Sequence, residues 1–163
     1  MDTNVYGLLI KEPRIEEIGQ QISNDKEFIV YGFGIIRKEL RDTPKTERLG
    51  RLKTRNLLLN LYDKLTKWKY LEDALKIHKL ALQFYNSYRE FGGIKNWQES
   101  NIDVDFTIIA CASFYKLDLV ISDDSKTMLS KPALKAYKHI CAKEAQWKPN
   151  FWAYSDLKLR YKF

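Results

Sequence analysis

Two short apolar runs, Phe28-Ile29-Val30-Tyr31 and Leu119-Val120-Ile121-Ser122, most constrain what this chain can fold into. The first follows Asn24-Asp25 and runs into Gly32; the second is closed by Asp123-Asp124. Apolar runs of this length, without polar alternation, read as strands buried on both faces, the kind found in parallel sheets. Around them lie segments with helical spacing. Helices are expected over 12–23 (Ile15, Ile18 and Ile22 in phase), 35–42, 47–66, 70–91, 104–115 and 132–145, with a last strand at 151–154. In the 70–91 helix the apolar side is read as Leu71, Leu75, Leu82 and Tyr85, and Gly92-Gly93 as its C-terminal stop. Strands alternating with helices predict an α/β fold, three layers of α/β/α around a mostly parallel twisted sheet. Right-handed crossovers then place a ligand outside the carboxyl ends of the strands.

No repeat, low-complexity tract or Gly/Ser/Pro linker divides the 163 residues, so a single domain over 1–163 is expected. A chain of this length buries a core without a disulfide or metal staple. Cys111, inside the apolar run 108–112, reads as a buried thiol, and neither it nor Cys141 has a partner at zinc-ligand spacing. No apolar stretch approaches about 18 residues and no basic-then-apolar leader opens the chain, which predicts a cytoplasmic protein without a membrane partner. The net charge of +7 is unevenly spread. Residues 126–163 carry nine Lys/Arg against Glu144 and Asp156, and residues 45–69 carry eight against Glu47 and Asp63. Such stretches suit a phosphate backbone or a solvated surface, and charge alone does not choose.

Acids fall where the ligand-binding edge should lie. Asp2 stands at the amino terminus, Glu39 a turn inside the helix after the first apolar run, Asp105 at the start of the 104–115 helix, and Asp123-Asp124 directly after the second run. Glu39 is four residues after Ile35 and three after Ile36, and Asp105 precedes Ile108, Ile109 and Ala112 by three, four and seven, so both share an apolar helix face. A carboxylate on a buried stripe is costly without compensation, and clustered carboxylates repel unless a cation sits among them. Hard oxygen ligands suit Mg²⁺ or Mn²⁺. Each acid also has a structural reading: Asp103 as an N-cap, one of Asp123 and Asp124 as a turn residue, Glu39 as an ion-pair partner of Arg37 or Arg41.

Taken in order, these segments resemble the PIN-domain family. Asp2-Thr3-Asn4-Val5 looks like the family's opening motif at the end of its first strand, and Ile36-Arg37-Lys38-Glu39-Leu40 like its glutamate-bearing helix. Asp105-Phe106-Thr107-Ile108-Ile109-Ala110-Cys111-Ala112 resembles its Asp-led helix of small and apolar residues. Val120-Ile121-Ser122-Asp123-Asp124 resembles its strand ending in Thr/Ser, any residue, then Asp, a pattern that selects Asp124 over Asp123. The resemblance spans residues 2–124. It departs in the long helical region 47–91 and in having only Met1 before Asp2, from which a natural start a few residues upstream, with an apolar β-branched strand, is expected.

The resemblance implies a metal-dependent ribonuclease acting on single-stranded RNA. Asp2, Glu39, Asp105 and Asp124 would bind one or two Mg²⁺ or Mn²⁺ ions, with Asp103 and Asp123 as possible additional acids and Asn4 and Ser122 orienting the carboxylates. Family members include the toxin halves of prokaryotic toxin–antitoxin pairs, so RNA, an antitoxin protein and a second copy of the chain are the implied partners. The alternative is a catalytically weak or inactive PIN-like module that binds RNA or a protein. A haloacid-dehalogenase-type phosphatase is disfavoured because Asn4 stands where Asp-x-Asp needs its second acid, and no Gly-rich phosphate loop or G-x-S-x-G elbow is present.

Overall fold

The computed structural model describes residues 1–97 and 102–163. The chain begins with helix α1 (Thr3–Leu9), capped by Asp2. Helix α2 (Ile15–Asn24) has Glu16 and Glu17 in its first turn, where carboxylates are favoured by the helix dipole. The strand expected at 28–31 lies later: β1 is Gly32–Phe33. In the run before it Val30 is buried, whereas Ile29 is 51% and Tyr31 37% exposed. Burial alternates along that segment, which an all-apolar run does not reveal. Helix α3 (Gly34–Asp42) ends before Pro44, as expected. The expected helix at 47–66 is divided. Residues 48–53 form an antiparallel hairpin of β2 (Arg48–Leu49) and β3 (Leu52–Lys53), and only Thr54–Thr66 is helical (α4). Gly50, at φ +60°, makes the two-residue loop possible.

Strand β4 (Tyr70–Leu71) precedes helix α5 (Leu75–Glu90), so the expected 70–91 helix starts late. Its stop is as read from sequence: Gly92 takes φ +88° and the Gly93 N–H reaches the Tyr88 carbonyl at 2.8 Å. Helix α6 (Ile102–Phe114), strand β5 (Leu119–Ile121) and helix α7 (Lys131–Lys143) follow, the last with Pro132 in its first turn. Strand β6 (Asn150–Trp152) is shorter than expected, because helix α8 (Tyr154–Tyr161) starts at once, Asp156 Oδ2 accepting from the Ala153 N–H at 2.8 Å. The architecture is mixed α/β with small parallel sheets.

The chain groups into two compact units, residues 1–72 with 153–163 and residues 73–152. In the first, α1, α2 and α3 pack on α4, burying Val5, Tyr6, Leu9, Ile22, Ile36, Leu58, Tyr62 and Leu65. β1 and β4 pair in parallel, Gly32 opposite Tyr70 and Phe33 opposite Leu71. Gly32 is required there, since a Cβ would stand 2.6 Å from both the Tyr62 hydroxyl and the Tyr70 ring. Tyr62 donates its hydroxyl to the Phe33 carbonyl at 3.1 Å. Arg37 grips Asp63 through Nε at 3.2 Å and Nη2 at 3.1 Å, tying α3 to α4. Arg37 is therefore the partner of Asp63.

Helix α8 has one fully buried side chain, Leu157, so polar contacts carry much of its docking. Glu12 accepts from Lys158 at 2.9 Å and Tyr154 at 2.8 Å; Asp25 accepts from Arg160 at 2.8 Å and Tyr161 at 2.9 Å. The Lys158 bond, then the Tyr154 bond, holds the Glu12 carboxyl below its ordinary pKa; Arg160 and the Glu27 N–H do the same for Asp25. Both folded pKa values are depressed. The stabilisation is thus complete above the ordinary carboxylate pKa and disappears as pH falls through the folded values. Hydrogen exchange of residues 154–161 is expected to accelerate below about pH 4 before that of α4, and Glu12→Gln to raise the pH at which it does so. Acid-insensitive protection of α8 would show that Leu157 and its apolar neighbours suffice.

In the second unit α5 packs on α6 and α7, α6 lies against β5, and β5 pairs in parallel with β6 (Leu119, Val120 and Ile121 opposite Asn150, Phe151 and Trp152). The buried stripe of α5 is Ile77, Leu80, Ala81, Phe84, Ser87 and Tyr88. It is not the Leu71–Leu75–Leu82–Tyr85 side expected, and Leu75 is 72% exposed. Positions 77, 80, 81, 84, 87 and 88 follow the 3.6-residue period, two of them as Ala and Ser rather than large apolar residues. Every residue of α6 from Phe106 to Ser113 is buried. Cys111 is among them, and desolvation pushes its thiol to about 12. Helix α7 ends with Ala145 at φ +49° and the Gln146 N–H on the Cys141 carbonyl at 2.9 Å. A left-handed alanine costs about 1–2 kcal/mol and glycine's unfolded-state entropy offsets about half of that. Ala145→Gly is therefore expected to stabilise the protein by about 0.5–1 kcal/mol, read as an increase of a few degrees in Tm. A decrease would mean that the turn tolerates alanine without strain.

Candidate metal centre

Asp2 is the most buried of the predicted site acids at 3% exposure. Its Oδ1 accepts from the Thr3 N–H at 2.7 Å and the Thr3 hydroxyl at 3.4 Å, an N-cap interaction that uses one edge of the carboxylate. Asn4, half-buried, occupies the first turn of the same helix. Glu39 lies half-buried on α3 between Ile36 and Leu40, both buried, which agrees with the phase read from sequence. Helix α1 packs against α3, so the first unit contributes Asp2 and Glu39 from adjacent helices.

The second unit contributes the other acids. Asp103 and Asp105 both sit half-buried in the first turn of α6. Since the helix starts at Ile102, Asp103 is inside that turn rather than its N-cap; its carbonyl accepts from the Thr107 hydroxyl at 2.6 Å. Because α6 is buried on all sides, sharing a face with Ile108, Ile109 and Ala112 does not distinguish Asp105 from its neighbours. What does distinguish both acids is the helix N-terminus, where the dipole favours negative charge by about 0.3–1 kcal/mol.

Asp124 has a structural task the sequence reading assigned only loosely. Its Oδ1 accepts from the Lys126 N–H at 2.9 Å and the Thr127 N–H at 3.0 Å, and Oδ2 from the Met128 N–H at 3.4 Å. The carboxylate thus organises the 125–129 turn. Ser122, fully buried, accepts the Asp124 N–H at 3.1 Å, holding the Asp124 main chain. Asp123 is exposed. An ionised carboxylate has about four lone-pair positions, and three N–H bonds leave one on Oδ2. One position suits a cation, and carboxylate oxygen is the ligand type that a hard divalent ion takes. Among the described residues no group of three or more His, Cys, Asp or Glu stands together as a metal site.

Sequence reasoning missed Tyr6. Its hydroxyl is fully buried without a hydrogen-bond partner among the described residues, and its ring lies 5.5 Å from that of Tyr62. Burial, with the nearby Tyr62 and Asp63, drives its pKa well above the usual tyrosine value, so it stays neutral. In the sequence it is one more large residue in the apolar face of α1, and nothing marks its hydroxyl. No described helix is long and apolar enough to cross a membrane. Compared with protein-family models, curated proteins and solved structures, the chain matches none.

Proposed function

We propose that this chain is a divalent-metal-dependent endoribonuclease of PIN type, a three-layer α/β/α protein acting on single-stranded RNA. The observation that carries the reading is the ordered set of acid-bearing motifs along residues 2–124, with Asp2 at the start of α1 and Glu39 on the neighbouring helix of the same unit. In this reading Asp2, Glu39, Asp105 and Asp124 are the candidate metal ligands, as the family resemblance implies. Bound Mg²⁺ or Mn²⁺ supplies Lewis-acid polarisation of a phosphodiester and a more acidic water. The chain's own part is to hold carboxylates in place: Thr3 fixes one edge of Asp2, and the 125–129 turn fixes Asp124. A second copy of the chain and a small antitoxin protein are partners of the same proposal.

The rival is a non-catalytic module that binds RNA or protein. It is favoured by the commitment of Asp124 to three backbone N–H groups. Mn²⁺ titration of the wild type and of Asp2→Asn, Glu39→Gln, Asp105→Asn and Asp124→Asn separates the two. The nuclease reading expects one shared site, weakened by each substitution, and cleavage of labelled single-stranded RNA that stops in a chelator. Undiminished cleavage in the chelator, or Mn²⁺ binding indifferent to all four changes, would remove it.

A further inference from the structure

Helix α7 has four lysines, Lys131, Lys135, Lys138 and Lys143, one histidine and no acid. All four lysines are exposed, and among the described residues none of their ammonium groups is in an ion pair or hydrogen bond. In the first unit Arg37, Lys64, Lys158 and Arg160 are each occupied by a carboxylate, whereas Lys26 and Lys45 are exposed and, among the described residues, without one. Lys131 and Lys135 are four apart and Lys135 and Lys138 three apart, spacings at which like charges destabilise a helix by a few tenths of a kcal/mol per pair. Nothing on α7 offsets that repulsion. The lysines also border a concave feature. Lys135, Lys138, His139, Ala142 and Lys143 line an open groove of about 590 Å³ whose remaining wall is Phe91, at the end of α5. Phe91 is 39% exposed and meets the His139 ring edge-to-face at 5.8 Å between centroids.

We propose that this groove binds single-stranded RNA, with phosphates along Lys135, Lys138 and Lys143 and a base against the Phe91–His139 pair. Charge complementarity and shape together favour this ligand. Unpaired cations in a row follow a phosphate backbone, and an aromatic pair among them offers a π-face that accepts any base. A protein partner would find flexible, strongly hydrated ammonium groups in place of the aromatic and Arg anchors typical of protein interfaces. The proposal rests on the ribonuclease reading for its ligand but uses none of the four metal-site acids.

The test is anisotropy of a fluorescent single-stranded RNA of mixed sequence, titrated with the full chain in a chelator so that no cleavage occurs. Lys135→Gln with Lys138→Gln is expected to weaken binding about tenfold or more at low salt. It should also flatten the slope of log K against log salt by about 1.4, two phosphate contacts at about 0.7 each. Phe91→Ala should weaken binding about tenfold without changing the slope, because stacking is not an ionic term. A matched control, Lys26→Gln with Lys45→Gln, removes two exposed charges elsewhere and should leave the slope unchanged. Thermal unfolding of each variant confirms that the fold persists. If the control changes binding as much as the groove pair, net charge alone is responsible and the proposal fails. Absence of RNA binding by the wild type also overturns it, and would direct the search to a protein occupant. RNA binding lost with the groove variants in a protein that never cleaves would overturn the nuclease reading alone. Cleavage with unchanged KM in those variants would overturn the groove alone.

Discussion

Asp105→Asn is expected to lose metal-dependent RNA cleavage by about 100-fold or more while remaining folded. Groups that merely orient a metal ligand are worth about 10–100-fold, so removing a ligand's charge should cost at least the upper end of that range. The amide keeps the size and shape of the carboxyl group, so packing at the start of α6 is preserved. What the fold loses is the favourable charge at the helix N-terminus, about 0.3–1 kcal/mol, equivalent to a few degrees in Tm. Asp103→Asn is the internal control. It removes a charge from the same helical turn, so it should cost similar stability but little activity. Cleavage of a labelled RNA in Mg²⁺ and thermal unfolding are measured on both variants. Full activity in Asp105→Asn excludes it as an essential ligand. Equal losses in the two variants would point to the charge of the helix start rather than to a coordinating role.

That comparison is needed because helix phase, the strongest sequence argument for Asp105, does not survive the structure. The phase argument held for Glu39, on a helix with distinct faces. It was empty for Asp105, since residues 106–113 are buried on every side and any position would have shared a face with something apolar. The same contrast runs through the fold. Leu119–Ile121 was legible as a strand because its short β-branched run is followed by Asp123-Asp124 and pairs with a second strand. The 28–31 run has similar composition but alternating burial, and tertiary packing moved the ladder to Gly32–Phe33. At 48–53 the cue was present in Gly50, a helix breaker inside an expected helix. Helix α8 was hidden because one buried leucine among charged residues gives no apolar period. Of the site, the sequence revealed which acids lie at element ends; the Asp124 turn follows from side-chain reach, to which spacing is blind.

Phe106→Ala is expected to be the most destabilising single change in the second unit, at about 3–5 kcal/mol. Phe106 is fully buried, and its ring lies 5.4 Å from that of Tyr88 on α5 and 5.7 Å from that of Tyr137 on α7, joining three helices at one point. Truncation removes the transfer energy of the ring and leaves a cavity that three packed helices cannot readily close. It also forfeits edge-to-face contacts of about 0.5–1.5 kcal/mol each, which overlap with the transfer term and are not added to it. Against a typical stability of about 5–15 kcal/mol the loss is a large share of the whole. Denaturant unfolding followed by circular dichroism should show a markedly lower midpoint. Leu82→Ala, on the exposed side of α5, should stay within about 0.5 kcal/mol of the wild type. A functional consequence follows from position, because Phe106 adjoins Asp105 and its seat sets where that carboxylate stands. Phe106→Leu keeps much of the apolar volume and should fold, yet it should lower cleavage through the displaced acid. A Phe106→Ala protein that unfolds with the wild type would show that the aromatic junction does not anchor the second unit, and would remove the reason to expect any effect of Phe106→Leu on Asp105.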